Sequence, residues 1–347
     1  MIIVEVEALA DLHFHLREGK EIMTSLLEYA FQGGADVLGI QPNLLEALIK
    51  AGMVIVYKDK AVSLIPSGRV MRFVPFVMIT ENTTEYDIDE CVESGIVDGK
   101  VYPFMRTNKS EHGVQRYGKI MPIVKHCGEV GLKCHFHPEH PSMKFENRDA
   151  EFVFVSLARM YLEESDATIV WEHGTDARCI PHWKEMAKTG RFFVTLTAHH
   201  LATSENEAFG DVRAVCKPPI KTEGDRQGLI SLVEEDQSWL MSGTDTAWHS
   251  EGAKHTSKGG CACGSFVPFA LPLYAHSLGN LLFTPKGIQT FINFTSRNAR
   301  KLHKLPESSR VVKLKNEPWE IPLTYPVGPE KGLPFWAGHK LNWKIVE

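Results

Sequence analysis

The sequence predicts an α/β protein, a (β/α)8 barrel, from the order and number of its segments. Eight short strand-like runs alternate with longer segments of helical periodicity along the chain. The chain has 347 residues, of which 43% are hydrophobic, and this is enough to bury the core of one barrel. We therefore expect a single domain over residues 1–347, with a barrel core at about 1–305 and a tail at 306–347.

The eight predicted strands are apolar runs at residues 2–9, 36–40, 70–79, 96–101, 132–136, 168–171, 192–196 and 239–241. Helical patterns fill the intervals at residues 21–32, 44–57, 116–130, 148–164, 177–188 and 226–235. Two more, 266–282 and 285–302, follow the last strand, and the tail contains Trp319, Trp336 and Trp343. Because tryptophan is costly to leave in water, we expect this C-terminal extension to pack on the barrel and to add a strand or two.

Composition argues against several classes of protein. The net charge is -5, the pI is about 6.4, and the lysines and arginines are dispersed, so nucleic acid is not an expected partner. No apolar run approaches the roughly 20 residues that cross a bilayer, and the N-terminus lacks the pattern of a signal peptide. We expect no membrane partner and a cytoplasmic enzyme.

The seven cysteines do not form a framework for disulfides. They are odd in number and spread along the chain, which predicts reduced core residues. The one close pair, Cys261 and Cys263, could supply half of a thiolate zinc site. No second close pair exists to complete such a site.

Two histidines near the N-terminus, His13 and His15, are the first candidate metal ligands. If they lie in or next to a strand, they project to the same side, because side chains alternate along a strand. Two imidazoles on one face can share a metal ion. The alternative is that one histidine ends the strand and the other is solvated.

Further candidate ligands stand where other predicted strands end. In a barrel of this type the C-terminal ends of all the strands meet at one mouth. Taken singly, a histidine at a strand end is more often a hydrogen-bonded structural residue than a metal ligand. Several imidazoles and carboxylates at one place, however, suit zinc. These residues are His13 and His15 on the first strand, Lys100 on the fourth, His135 and His137 on the fifth, His173 on the sixth and Asp245 on the eighth.

Lys100 can be read in two ways. As an ammonium it has no acceptor and would repel a metal, so its charge would face solvent or a carboxylate. As a neutral amine it can add carbon dioxide to become a carbamate, which behaves like an extended carboxylate and could bridge two ions. Nothing in the composition forces that reaction.

Seven stretches together resemble one family, the class II (homodimeric) dihydroorotases of the amidohydrolase superfamily. The order and spacing of the stretches match from near the start of the chain to near its end. They are residues 11–19 (DLHFHLREG), 41–43 (QPN), 99–103 (GKVYP), 172–173 (EH), 196–201 (LTAHHL), 243–249 (GTDTAWH) and 333–338 (LPFWAG).

The resemblance implies a barrel of the metal-dependent amidohydrolase type with two zinc ions per chain. His13, His15 and Asp245 would bind the more buried ion, and His137 and His173 the second. A carboxylated Lys100 and a hydroxide would bridge the two, and His135 would lie deeper in the barrel. The implied reaction is the reversible cyclisation of N-carbamoyl-L-aspartate to L-dihydroorotate in pyrimidine biosynthesis, with Asp245 moving the proton. A homodimer is implied as well.

The resemblance also implies the residues that hold the substrate. Arg17, Asn43 and His249 match its carboxylate contacts, and Ala262 matches a backbone contact. Thr107 is the expected contact from the substrate loop at residues 104–113. On residue type alone, Arg17 could instead form a surface salt bridge.

Departures from the family pattern keep other functions open. The loop reads RTNK at residues 106–109 where two adjacent threonines are usual, and residues 216–221 (CKPPIK) replace a more apolar segment. An alternative is therefore a hydantoinase-like or dihydropyrimidinase-like enzyme acting on another cyclic ureide or imide. A non-catalytic paralogue is a third possibility, which the full set of ligand types disfavours.

Overall fold

The computed structural model describes residues 2–255 and 261–346, and a curled parallel sheet forms its centre. The strands are β1 (Ile3–Glu7), β2 (Leu9–His15), β3 (Ala35–Ile40), β4 (Arg72–Ile79), β5 (Asp98–Val101), β6 (Lys133–Phe136), β7 (Ile169–Trp171), β8 (Phe192–Leu196), β9 (Leu240–Ser242), β10 (Thr246–Ala247), β11 (Val311–Glu320), β12 (Tyr325–Val327), β13 (Glu330–Gly332) and β14 (Lys340–Val346).

The sheet closes because its eighth strand is divided into two pieces. Strands β2 to β9 pair in chain order, each parallel to the next. The short β10 then pairs in parallel with β2, whereas β9 pairs with β8. The two pieces of the last strand therefore join the two ends of the sheet. The predicted (β/α)8 barrel is confirmed, and its C-terminal strand ends converge as a barrel requires.

Helices surround this barrel. They are α1 (Lys20–Gln32), α2 (Ala51–Ser63), α3 (Glu85–Glu93), α4 (Met121–Val130), α5 (Ala150–Glu164), α6 (Ile180–Ala187), α7 (Ala198–Ala202), α8 (Glu205–Ala208), α9 (Glu223–Glu234), α10 (Glu251–His255), α11 (Ala270–Ser277), α12 (Pro285–Ile292) and α13 (Asn298–Leu302). Local sequence fixes several ends: α9 begins with a capping box of Thr222 and Asp225, and α4 ends at Gly131 with φ of 79°. No helix in the described ranges is long and apolar enough to span a membrane.

A strand does form at the first predicted position, but its placement in the barrel was wrong. Residues 3–7 form β1, which lies outside the barrel and pairs antiparallel with β11. Its side chains alternate between exposed and buried, whereas every residue of β2 is buried, as expected for a barrel strand covered on both faces. His13 and His15 are therefore the last residues on one face of β2 itself.

The other strands lie within a few residues of their predicted positions, but one helix does not. The helix expected at 44–57 is α2, which begins at Ala51. After Pro42 the chain turns, with the N–H groups of Leu44 and Leu48 both donating to the Pro42 carbonyl at 3.0 Å. This turn uses the residues that the apolar pattern had assigned to the first half of the helix.

The C-terminal extension packs on the barrel, as predicted, but contributes more strands than expected. Strands β1, β11 and β14 form a three-stranded antiparallel sheet, and β12 pairs with β13. The Trp319 indole N–H donates to the Trp343 carbonyl at 2.7 Å, and Trp343 is fully buried. The N-terminal strand is thus joined to the tail, a pairing between distant segments that no local pattern reveals.

Candidate active site

The barrel mouth brings together all six predicted metal ligands. His13 and His15 lie on β2, Lys100 lies on β5, and Asp245 lies between β9 and β10. His137 follows directly after β6, and His173 lies two residues after the end of β7. None of the six is more than 7% exposed. Residues separated by more than 200 positions in the sequence therefore share one buried site.

The first cluster joins two imidazoles to one carboxylate. Nε2 of His13 lies 3.2 Å and Nε2 of His15 lies 2.9 Å from Oδ1 of Asp245. Burial lowers the pKa of both histidines, and this favours the neutral form that binds metal. Two neutral nitrogens and an anionic oxygen within reach of one point fit a zinc ion.

The second cluster contains His137, His173 and Lys100. The His173 ring centroid lies 4.5 Å from that of His137 and 5.1 Å from that of His13. Neither ring nitrogen of His173 has a hydrogen-bond partner among the described residues, although the side chain is fully buried. Buried polar atoms nearly always have a partner, so these nitrogens fit a metal ligand better than a structural role.

A carboxylate supports His137 from outside the cluster. Nε2 of His137 is hydrogen-bonded to Oε2 of the fully buried Glu139 at 2.8 Å. This contact leaves Nδ1 of His137 available for a metal. A metal-binding histidine commonly donates its other ring N–H to a carboxylate in this way.

Lys100 is completely buried in this site. Its Nζ lies 5.1 Å from the centre of the Tyr102 ring and contacts the carboxylate of Glu172. Burial holds the pKa of Lys100 well below its usual value, although the charge of Asp245 opposes that effect. The neutral amine, which is the form able to add carbon dioxide, is therefore favoured at this position.

Backbone strain marks three of the predicted site residues. Arg17, His173 and Asp245 have φ angles of 63°, 41° and 48°, in the left-handed region that non-glycine residues rarely adopt. Such conformations cost on the order of 1–3 kcal/mol each and are concentrated at functional sites. The backbone N–H of His173 donates to Oγ1 of Thr195 at 2.8 Å, and this contact helps to hold His173 in its left-handed conformation.

Two buried carboxylates of the site, Glu172 and Asp11, were not assigned a role from the sequence. Oε2 of Glu172 lies 3.3 Å from Nδ1 of His13, on the side of that ring opposite Asp245. Asp11 accepts the backbone N–H of Thr244 at 2.8 Å and that of His13 at 3.2 Å, so it ties β2 to the segment that carries Asp245. The signal available in the sequence was their position next to predicted ligands. Glu172 directly precedes His173, and Asp11 lies two residues before His13.

Three of the five predicted substrate-binding residues line a cavity beside the two clusters. The cavity is small, with only about 20 Å³ open to the centre of a water molecule. Arg17, Asn43 and Thr107 line it. Oδ1 of Asn43 is buried and has no hydrogen-bond partner in the described part of the chain. His249 stands at its edge, with Nε2 3.0 Å from Nη2 of Arg17.

Ala262 is not brought into this cavity. Its N–H donates to the Ala253 carbonyl at 3.1 Å, and its own carbonyl accepts from Nζ of Lys254 at 2.9 Å. The neighbouring Cys263 and Gly264 line the cavity instead. This segment repeats small and sulfur-containing residues, so the sequence alone does not reveal that the cavity is lined one position later than Ala262.

Two further cavity residues come from the segments that depart from the family pattern. Nδ2 of Asn108 donates to the Cys263 carbonyl at 2.5 Å and lies 3.2 Å from Nε2 of His249. Lys217 also lines the cavity, with Nζ 3.9 Å from Oε1 of Glu139. Both groups face the cavity and can influence which ligand fits there.

The cysteines take no part in either ligand cluster. All seven are free thiols, and five of them are buried. In the described ranges no third potential ligand groups with Cys261 and Cys263, whereas Cys216 lies 3.5 Å from Nε2 of His200. The alternative of a thiolate zinc site at Cys261 and Cys263 therefore gains no support.

A parallel barrel with imidazoles, a carboxylate and a buried lysine at its strand ends defines a hydrolase of the amidohydrolase type. Comparison with known proteins makes this more specific. The chain is 29% identical to a dihydroorotase of Alkalilimnicola ehrlichii over 343 residues, which are 97% of each chain. A crystal structure of Saccharomyces cerevisiae dihydroorotase in complex with 5-fluoroorotic acid has a TM-score of 0.90 at 25% identity, covering 100% of this chain and 99% of the other.

The chain is thus a relative of the dihydroorotases, hydrolases that act on cyclic amides, and the resemblance seen in its motifs is confirmed. An L-hydantoinase of Arthrobacter aurescens shares the fold, with a TM-score of 0.82 at 12% identity over 99% of this chain and 83% of the other. No family model matches the chain.

Proposed function

We propose that this protein interconverts N-carbamoyl-L-aspartate and L-dihydroorotate at a site with two zinc ions. The observation that carries the proposal is the convergence of two ligand clusters beside a cavity that contains a buried arginine. The clusters supply ligands for a metal-activated hydroxide, and Arg17 supplies a cation for the substrate carboxylate. The similarity to dihydroorotases along the whole chain supports the same conclusion.

His13, His15 and Asp245 would hold one zinc ion, and His137 and His173 the other, with a carboxylated Lys100 bridging them. The buried, neutral amine of Lys100 supports this modification, because only the free base reacts with carbon dioxide. Nitrogen and oxygen ligands without thiolates favour zinc or a similar divalent ion. Bound together, two such ions supply an activated hydroxide and polarise the amide carbonyl.

Asp245 is the proposed catalytic base and acid. Burial alone would raise the pKa of this carboxyl, but its contacts with the imidazoles of His13 and His15 outweigh burial and hold the pKa well below the usual range. Asp245 is therefore ionised and able to accept a proton from the attacking hydroxide. It would then deliver that proton to the ring nitrogen as the amide bond opens.

Arg17, Asn43 and His249 are proposed to bind the substrate carboxylate. Arg17 offers a planar set of donors, and Asn43, whose Oδ1 has no hydrogen-bond partner among the described residues, lines the same cavity. Thr107 would approach the substrate from the loop at residues 104–113. Since Ala262 and Gly264 both use their N–H and carbonyl groups elsewhere, the backbone contact is assigned to Cys263, which lines the cavity.

The test is ring opening of L-dihydroorotate by the purified protein after zinc loading, with the reverse reaction followed in the same samples. Asp245→Asn is the matched control, because it preserves shape and removes the base. We expect turnover by the wild type and a loss of about 10³-fold or more in the variant. A zinc-loaded wild type that does not turn over either compound would refute the proposal.

A second candidate function keeps the chemistry and changes the ring. Lys217 and Asn108 line the cavity at the two departures from the family pattern, and the fold is shared with an L-hydantoinase. Such an enzyme would open another cyclic ureide or imide, such as a hydantoin or a dihydropyrimidine. A higher kcat/KM for one of these than for L-dihydroorotate would favour this second function.

Three further features remain predictions. The resemblance implies a homodimer, composition suggests a cytoplasmic location, and we propose that residues 1–347 act as one domain. Light scattering of the purified protein tests the first. A monomer that retains full activity would show that dimerisation is not needed for function.

A further inference from the structure

A line of buried polar side chains leads from the interior of the barrel to the ligand clusters. Nε2 of His135 lies 3.0 Å from Oδ1 of Asp98, and Nδ1 of the same ring lies 3.1 Å from Oε1 of Glu172. The other oxygen of Glu172 faces Nδ1 of His13 at 3.3 Å and contacts Lys100. The side chains of Asp98, His135 and Glu172 are each only 1% exposed.

The strand register explains this alignment. Lys100 on β5 stands directly opposite His135 on β6, and Asp98 stands opposite Lys133. Side chains two residues apart in a strand point to the same face, so Asp98 and Lys100 both project into the barrel, one layer apart. His135 connects these layers, because one ring nitrogen reaches Asp98 and the other reaches Glu172.

The imidazole of His135 is fixed from both ends and from the side. Each of its two hydrogen bonds needs one proton. The ring and the two carboxylates must therefore carry two protons between them. The Phe76 ring meets it edge-on at a centroid distance of 4.7 Å. Asp98 has two further polar neighbours: Nζ of Lys133 lies 3.5 Å from its Oδ1, and Nδ1 of His303 lies 3.3 Å from its Oδ2.

We propose that Asp98 and His135 are positioning residues for the metal site and that they act through Glu172. They hold Oε1 of Glu172, so that Oε2 is aimed at His13 and Lys100, one member of each ligand cluster. Without His135, the Glu172 carboxylate would lose the one ion-pair partner in the described structure that is not itself a proposed metal ligand. This inference rests on the proposed two-metal function.

A metal ion bound by Asp98, His135 and His303 themselves is the competing interpretation. Their ligand atoms lie close enough together for one. However, the ammonium of Lys133 lies 3.5 Å from Oδ1 of Asp98 and would repel a cation there. That oxygen is also already bonded to His135. A hydrogen-bonded support therefore fits the local charge better than a third metal site.

The experiment measures how fast zinc leaves the protein when a strong chelator is added. The main variant is the double substitution Asp98→Ala with His135→Leu, which removes the acid and the imidazole together. His135→Gln is the milder variant, since an amide can still donate to one carboxylate. Tyr161→Phe is the control, because it removes a buried hydrogen bond to the Tyr117 carbonyl in the outer layer.

We expect zinc to leave the double variant at least about 10-fold faster than the wild type, the size of effect found when the support of a metal ligand is removed. His135→Gln should lie between the two. Tyr161→Phe should lower the unfolding temperature and leave the zinc release rate unchanged.

Two results would overturn the inference. One is zinc release at the wild-type rate from folded His135→Gln and from the folded double variant. The other is a third zinc per chain in the wild type that is lost on substitution of His303→Gln. A wild type that holds two zinc ions but does not turn over dihydroorotate would refute the proposed reaction and leave this inference intact. A wild type that binds no zinc would refute both.

Discussion

Nη2 of Arg17 and Nε2 of His249 lie 3.0 Å apart, although 232 positions separate these residues in the sequence. A guanidinium has only donors, so the His249 nitrogen accepts when it pairs with Arg17; the same nitrogen also lies 3.1 Å from the Cys263 carbonyl, to which it can donate only when it carries the ring proton. Burial, and then the charge of Arg17, lower the pKa of His249 to about 2. The pair therefore offers one fixed cation and one neutral imidazole at the edge of the cavity.

Replacing Arg17 with lysine should weaken substrate binding. Lysine keeps the charge, but it cannot donate to the Trp248 carbonyl, to His249 and to a carboxylate in one plane. We expect KM for dihydroorotate to rise by about 10- to 100-fold, which corresponds to about 1.4–2.7 kcal/mol, with a smaller change in kcat. Steady-state kinetics on Arg17→Lys test this, with the surface substitution Arg69→Lys as control. An unchanged KM would remove Arg17 from the substrate site.

Replacing Lys100 with alanine should remove the bridging anion between the two clusters. Zinc content should fall from two ions per chain toward one, and activity should fall by about 10³-fold or more. Metal analysis and kinetics on the same preparation measure both effects. Reconstitution of the metal-free wild type should also be faster with added bicarbonate, because the neutral amine of Lys100 must capture carbon dioxide. A Lys100→Ala enzyme with two zinc ions and full activity would contradict the carbamate role.

The ligand residues could be predicted from the sequence because the barrel topology is local. Each strand is followed by its own helix, so the end of each strand can be located from short-range patterns, as it was for Lys100 and His173. The strand at residues 2–9 was misplaced because β1 pairs with β11, and only distant sequence determines that partner. The supporting role of Glu172 depends on contacts from three strands and was equally hidden.

Asn108 should hold the substrate loop against the cavity. Its amide bonds the Cys263 carbonyl and lies 3.2 Å from His249, while Arg106 fixes the loop base by donating to the His140 carbonyl at 2.9 Å. Asn108→Ala should raise KM about 10-fold, whereas Asn108→Thr, which restores the residue type usual in the family, should retain more of the wild-type affinity. Equal KM values for wild type and Asn108→Ala would show that this contact does not assist binding.

Asp11 should make the metal-free protein less stable as pH rises. Burial raises the pKa of Asp11 to about 7, so the folded state binds a proton that the unfolded chain, with a pKa of 3.8, has already released. Stability from this group is complete below pH 3.8 and is lost as pH rises through 7. Between pH 5 and pH 8 the loss should be about 2–3 kcal/mol, and Asp11→Asn should remove it. Denaturant unfolding of both chains at the two pH values measures the difference, and identical pH profiles would contradict the assignment.

Lys217 should influence the choice of substrate. It places a second cation in the cavity that holds Arg17, where its Nζ donates to Oδ1 of Asn147 at 2.5 Å and lies 3.9 Å from the carboxylate of Glu139. A cation at this position favours substrates with an acceptor oxygen or a second negative charge facing it. Lys217→Met keeps most of the side-chain volume and removes the charge. We expect kcat/KM to fall about 10-fold for N-carbamoyl-L-aspartate, which carries two carboxylates, and to change less for an uncharged hydantoin. Measuring both substrates with both proteins separates the charge effect from a general loss of activity, because an equal fall for the two compounds would assign Lys217 to support of Glu139 and His137 instead.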